Sequence, residues 1–299
     1  YLLQTVTAVY LRLLGHEISN GGFVLDVNET PDPEEFEDAY MRYANARVCP
    51  PRPAEKTYRV RGTKEPFYTL NVIDGIMSVS AVQKVAKQYQ ASITEYLNAV
   101  LLYSLLQKQE HDFHLRLRPV RIAMPVNLRR FFPSKTLRNF ITMVYPSIDP
   151  RLGDYTFEEI VTQVHHYMRY YINSKFLRGD ITTNASTQRN PLIRIVPLFL
   201  KDFVVRQFYQ RVQDKNSSAG LTNMGAIRVP DDMKPYLERF DIYMGIPYSQ
   251  RTNCAIVSFE DTLTVNFASC IIEADVERRF FQKLVEDGIP VTIESNREL

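Results

Sequence analysis

Ile122-Ala123-Met124-Pro125-Val126-Asn127-Leu128-Arg129-Arg130, followed by Thr136-Leu137-Arg138-Asn139-Phe140, is the stretch that decides how this 299-residue chain is read. Val120, Ile122, Met124 and Val126 alternate with Arg121, Ala123 and Pro125, the two-residue period of a strand whose faces meet different surroundings. Such a strand runs directly into Asn127-Leu128-Arg129. Upstream, Ser80 with Gln83 and Ser92 with Glu95 fit the capping box, in which side chains satisfy free N–H groups at a helix start. Two consecutive helices are therefore expected, the second placing Ile93, Tyr96, Leu97, Val100, Leu101 and Leu105 on one face.

Downstream, Thr156 and Glu159 form a further capping box. Phe157, Ile160, Val161, Val164 and Met168 make the inner face of a long helix that Gly179 is expected to end. Pro191 suits the first turn of the next helix, and Pro197 is expected to kink or split it. Residues 254–259 and 263–267 are rich in strand formers around a polar turn at Glu260 and Asp261. A final helix over 275–287 turns Val276, Phe280, Phe281 and Leu284 inward. Near the start, Leu2, Leu3, Val6, Tyr10, Leu13 and Leu14 recur at helical steps, with Gly15 placed for a left-handed cap. This predicts a core helix already under way at Tyr1, so a preceding segment is expected. Long amphipathic helices mixed with strands, one pair forming a hairpin, predict a layered α/β sandwich.

Composition narrows the function classes. Apolar residues at 45% and charged residues at 23% are a globular balance, which predicts a packed core. A formal charge of +2 with spread cations lacks the footprint of phosphate-backbone binding, so nucleic acid is not an expected partner. Cys49, Cys254 and Cys270 are an odd, sparse set that favours free thiols in a reducing compartment, and a cytoplasmic protein is expected. The apolar runs are too short or too interrupted for a transmembrane segment. Cys49-Pro50-Pro51-Arg52-Pro53 is the best linker candidate, since its prolines exclude a helix interior or a central strand.

Reactive residues are sparse. His165 and His166, neighbours on one predicted helix, point about 100° apart and cannot converge on one ion, and no carboxylate or cysteine pattern completes a metal site. His111 and His114 fall in a polar stretch that reads as surface loop. No phosphate-binding glycine loop, dinucleotide fingerprint or nucleophile elbow occurs.

The order of three stretches carries more information. They are the opening Tyr10-Leu11-Arg12-Leu13-Leu14-Gly15 helix with Glu34-Glu35-Phe36-Glu37-Asp38 after it, the Val126-Asn127-Leu128-Arg129 strand end with its Arg138-Asn139-Phe140 turn, and Leu221-Thr222-Asn223-Met224-Gly225. Together they resemble the C-terminal part of coenzyme-A-dependent acyltransferases of the chloramphenicol acetyltransferase and condensation-domain superfamily, most nearly the alcohol acetyltransferase branch. The resemblance implies a two-lobed fold with an incomplete N-terminal lobe at 1–48, a linker at 49–66 and the C-terminal lobe at 67–299. It also implies acyl transfer, most simply of acetyl from acetyl-CoA, to a small-molecule alcohol or amine without a metal.

In that family the second histidine of a His-His-x-x-x-Asp-Gly motif deprotonates the acceptor as it attacks the thioester, a general-base step. Here His165-His166 is followed by Tyr167-Met168-Arg169, so the resemblance places the base before Tyr1. This fragment alone is then expected to be inactive. Attack on a thioester also creates an oxyanion that needs a fixed donor. Leu221-Thr222-Asn223-Met224-Gly225 is similar to the Ser-Asn-Leu-Gly strand of dihydrolipoamide acyltransferases, which makes Thr222 the candidate donor. Asn223, Gly225, Arg129 and Asn139 are the accompanying tunnel candidates, and Arg129 and Asn139 also fit an architectural role. Gly225 could admit a ligand closely or mark a bulge. Two alternatives remain open: a condensation-type domain that uses carrier-bound acyl groups, and a non-catalytic module of the same fold.

Overall fold

The alternation at 120–127 does form a strand, and it lies inside a mixed eight-stranded sheet. The computed structural model describes residues 2–26, 28–47, 55–66, 69–112, 116–189, 197–198, 200, 202, 216–247 and 250–297. The strands are β1 (Asn71–Ser78), β2 (Val120–Asn127), β3 (Ile141–Val144), β4 (Ser147–Ile148), β5 (Ala219–Ala226), β6 (Thr252–Phe259), β7 (Thr262–Ser269) and β8 (Thr292–Ser295). Their order is β3-β2-β5-β6-β7-β1-β8, with β4 also paired to β2. β2, β5 and β6 run parallel to one another, and every other pairing is antiparallel. The predicted hairpin is β6–β7, turning at Glu260 and Asp261 with Glu260 at φ +49°.

The helices are α1 (Leu2–Leu13), α2 (Ala39–Tyr43), α3 (Val79–Gln88), α4 (Ile93–His111), α5 (Phe157–Tyr171), α6 (Ser174–Arg189) and α7 (Asp275–Glu286). Both capping boxes at Ser92–Glu95 and Thr156–Glu159 are formed, each with its reciprocal pair of hydrogen bonds. The expected one-sided burial of α4 does not hold, because Ala99, Leu102, Ser104 and Leu106 are buried as well. The helix lies between β2, α5 and α7, so almost every side chain meets protein. Its polar Ser104 is satisfied by donating to Val100 O at 2.8 Å.

Three other expectations are corrected. Ser80 and Gln83 do not cap α3; Ser78 does, and Asp261 from the β6–β7 turn accepts from Ser80 N at 2.9 Å and from Ser78 Oγ at 2.7 Å. Gly179 ends nothing. The long helix stops at Tyr171, and Asn173 Oδ1 accepts from Lys175 N and Phe176 N to start α6, which runs through Gly179. The opening helix exists and Gly15 takes φ +94°, but its large apolar stripe is not its inner face. Leu2, Leu3, Val6, Tyr10, Leu13 and Leu14 are exposed, whereas Thr5, Ala8 and Leu11 face inward. A line of mostly small side chains lets the helix lie close to its neighbours, and Ala8 and Leu11 join Ile18, Val24, Val229, Met233, Val257 and Phe259 in a second core cluster. Most of the predicted helix around Pro191 and all of the Cys49–Pro53 stretch lie outside the described residues, as does His114. Residues 55–66 form an extended segment that buries Thr57, Tyr58 and Val60, with Tyr58 N donating to Pro119 O at 2.9 Å.

Helices cover one face of the sheet. There α7 sets Phe280 and Phe281 edge-on to Phe267 of β7, with ring centroids 5.1 and 5.6 Å away. Glu277, on the same helix, is buried, and its carboxylate accepts from Thr252 Oγ1 at 2.6 Å. Burial raises its pKa above the usual carboxylate range against the lowering effect of that bond. Between the ordinary and the raised value the folded state holds the extra proton, so stability falls as pH rises through that window. Glu277→Gln removes the ionisation. Thermal melts are expected to show the variant gaining on the parent as pH rises above the ordinary carboxylate range; a constant difference between the two would contradict the assignment.

Candidate functional site

Strand β5 divides the predicted Leu221–Gly225 motif between the two faces of the sheet. Side chains alternate along a strand, and Asn223 points to the helical face, where its Nδ2 donates to Thr94 Oγ1 at 2.8 Å near the start of α4. Asn223 Oδ1 accepts from Gly225 N at 2.8 Å. The β5–β6 register shifts between Asn223 and Ala226, so Gly225, at φ +74°, sits in a bulge. A Cβ there would meet nothing within 4 Å; the left-handed backbone, rather than crowding, calls for glycine.

Asn223 and Gly225 border a cleft of about 510 Å³ between the ends of β2 and β5 and the helices α4 and α5. Asn127 and Arg130 reach it from the end of β2, and Glu95 and Arg169 from the two helices. Glu95 is buried and its Oε2 accepts from Ser92 N at 2.7 Å, the closing half of the α4 capping box. His165 stands behind it. Its Nε2 accepts from Arg169 Nε at 3.0 Å, and its buried Nδ1 lies 3.4 Å from Glu95 Oε1 without an aligned hydrogen bond. The His165 and His166 rings are edge-on, 5.6 Å apart, and do not converge on a shared point. The Glu95–Arg169 lining was not singled out in the sequence, where Glu95 registered only as a helix cap.

Thr222 occupies the other face. It is half-buried, and its hydroxyl makes no hydrogen bond to any described residue. Register aligns it in a row across the sheet: Thr222 opposite Ala255, Ala255 opposite Asn266, and Asn266 opposite Asp74. The same face carries Asn253 and Thr264, so the inner part of this surface is polar. These groups tie down the segment 239–245. Asn266 Nδ2 donates to Asp74 Oδ1 and Asp241 Oδ1, Tyr243 OH donates to Asp74 Oδ2, Asn253 Nδ2 donates to Gly245 O, and Thr264 Oγ1 donates to Phe240 O. Burial raises the pKa of Asp74, with these donors opposing the shift. The alternation of Thr264 and Asn266 with Val265 and Phe267 was the available signal for a polar sheet face.

The remaining candidates are placed apart from both. Arg129 turns away from the cleft, donating to Thr136 O and Arg138 O, with its guanidinium 6.0 Å from the Phe140 ring centre. It fastens the 136–140 turn to the end of β2. Asn139 is exposed on that turn. The structure thus brings together Asn223 and Gly225, places Thr222 on the opposite face, and gives Arg129 an architectural position.

No family model matches the chain, and no curated protein matches its sequence. Solved structures do match its fold. One is the trichothecene 15-O-acetyltransferase TRI3 of Fusarium sporotrichioides, at 14% identity and TM-score 0.50, aligned over 92% of this chain and 54% of that one. A second is the epimerization domain of the third module of tyrocidine synthetase B, at 12% identity and TM-score 0.50, over 94% and 63%. A third is the nonribosomal peptide synthetase FmoA3, at 11% identity and TM-score 0.52, over 79% and 23%. The chain has the mixed α/β fold of these solved domains. It spans less than two thirds of the length of each of these solved chains. Among the described residues no helix is long and apolar enough to cross a membrane.

Proposed function

We propose that the protein transfers an acyl group, most simply acetyl from coenzyme A, to the hydroxyl or amine of a small molecule. The observation that carries this reading is the unpartnered hydroxyl of Thr222 on a strand of an acyltransferase-type sheet, free to donate where a thioester oxygen would become negative. The acceptor's proton goes to an imidazole. No His-x-x-x-Asp-Gly occurs in these residues, so the reading assigns the base to a segment preceding Tyr1 and the matching half of the tunnel to a fuller N-terminal lobe. Asn223 and Gly225 shape the neighbouring cleft; neither takes part in proton transfer. Thiols at Cys254 and Cys270, both unpaired, are in keeping with a cytoplasmic setting.

Likeness to an epimerization domain and to a peptide synthetase favours a second reading, in which the acyl group arrives on a carrier protein. A thiol-release assay separates them. Full-length protein with acetyl-CoA and a panel of alcohols and amines is expected to release coenzyme A only when an acceptor is present. Transfer seen solely from an acyl-loaded carrier domain would select the second reading. Turnover with neither donor would leave a binding module of this fold.

A further inference from the structure

Several cations of the chain are neutralised by neighbouring carboxylates. Arg42 pairs with Glu34 and Glu37, Arg151 with Asp149 and Glu55, and Arg239 with Asp241 and Glu294. One cleft gathers guanidinium groups instead. Arg59, Arg61, Arg116, Arg118 and Arg251 line a recess of about 400 Å³ beside Tyr58. They come from three separate parts of the chain: the extended 55–66 segment, the approach to β2 and the approach to β6. The eight residues of β2 separate this recess by roughly 25 Å from the cleft at Asn127.

Among the described residues that line the recess, none carries a carboxylate. Among the described residues, Arg61, Arg116, Arg118 and Arg251 make no ion pair. The acidic groups that act on Tyr58, Asp112 and Asp275, are both taken up by Lys108, at 3.0 and 2.9 Å, and Asp112 also accepts from Tyr58 OH at 2.7 Å. The whole chain carries a formal charge of only +2, so a general excess of cations does not account for five guanidinium groups around one recess. Like charges gathered this way repel, and an anion bound among Arg61, Arg116, Arg118 and Arg251 would relieve that repulsion.

We propose that this recess binds a small ligand carrying two or more linked phosphates. Guanidinium forks match phosphate oxygens in pairs, and a diphosphate offers enough tetrahedral oxygens and enough charge to engage several forks from different directions. The recess is concave and small, which suits a compact anion and not an extended polymer. This inference does not rest on the acyl-transfer reading.

Calorimetric titration of the full chain with inorganic pyrophosphate, at fixed ionic strength, tests it. Saturable one-to-one binding is expected, weakened about tenfold or more in the Arg61→Gln/Arg118→Gln double variant through loss of charge-assisted hydrogen bonds. Arg42→Gln, at a paired arginine, is expected to bind as the parent does. ADP in place of pyrophosphate distinguishes the source: equal affinity points to free phosphate chemistry, and tighter binding of ADP to a diphosphate carried on a nucleoside. Both arginines of the double variant are exposed, and circular dichroism checks that the fold is kept. Absence of saturation at millimolar pyrophosphate, unchanged affinity in the double variant, or equally tight binding of sulfate would overturn the proposal.

Discussion

On the proposed acyl-transfer reading, Thr222→Val is expected to lower turnover of the full-length protein by about 3 kcal/mol in activation free energy, on the order of a hundredfold, with little change in KM. Valine keeps the β-branched shape and the strand preference of threonine, so the half-buried position on β5 and its pairing with Ala255 are retained. What is lost is one O–H donor. A donor aimed at an oxygen that becomes charged only in the transition state contributes to kcat and not to ground-state binding. Thr222→Ser retains the hydroxyl and is expected to keep most of the activity, which separates loss of the donor from damage to the strand. The thiol-release assay measures both variants. Valine turnover within twofold of the parent would remove Thr222 from the reaction.

The largest expected effect on stability is at Gly75, on the face of β1 that meets α7. A Cβ there would lie 2.7 Å from Phe281 Cζ and closer still to Cε1, well inside van der Waals contact. A flexible side chain could swing away from such a contact. The Phe281 ring cannot do so freely, because it is buried and stands edge-on to both Phe267 and Phe280, at 5.6 and 5.4 Å between centroids. Moving it displaces the whole α7–sheet contact. Gly75→Ala is therefore expected to cost about 3 kcal/mol, the upper part of the range for overpacked cores. Adding Phe281→Leu opens room, so the double variant is expected to be less destabilised than the sum of the two single changes. Urea unfolding of the four proteins measures the coupling; strict additivity would show that the ring does not obstruct the new methyl group.

Local signals carried a good part of the fold. The capping boxes at Ser92 and Thr156, the alternation before Asn127, the turn at Glu260–Asp261 and the apolar face of α7 all lie within a few residues of what they specify. Signals failed where a distant partner decides. α3 begins at Ser78 because Asp261, 183 positions away, supplies acceptors there, and no window around Ser80 contains that information. The break at Asn173 was legible in principle, as an amide side chain ahead of a new helix, but Gly179 looked the stronger signal. For α1, hydropathy picked the row of large side chains, whereas close approach favoured the row with Thr5 and Ala8.

The candidate site divides in the same way. By itself the amino-acid sequence determined the strand alternation, the starts of α4 and α5, the order of the motifs and the presence of a hydroxyl at position 222, all of which depend on residues near one another in the chain. Only the tertiary structure decided that Thr222 and Asn223 serve opposite faces of the sheet, that Arg129 binds a turn, and that five arginines from three segments meet in one recess. Those outcomes depend on which strands become neighbours and in what register, and that choice is made by burial summed over the whole sheet, which no single stretch of residues encodes.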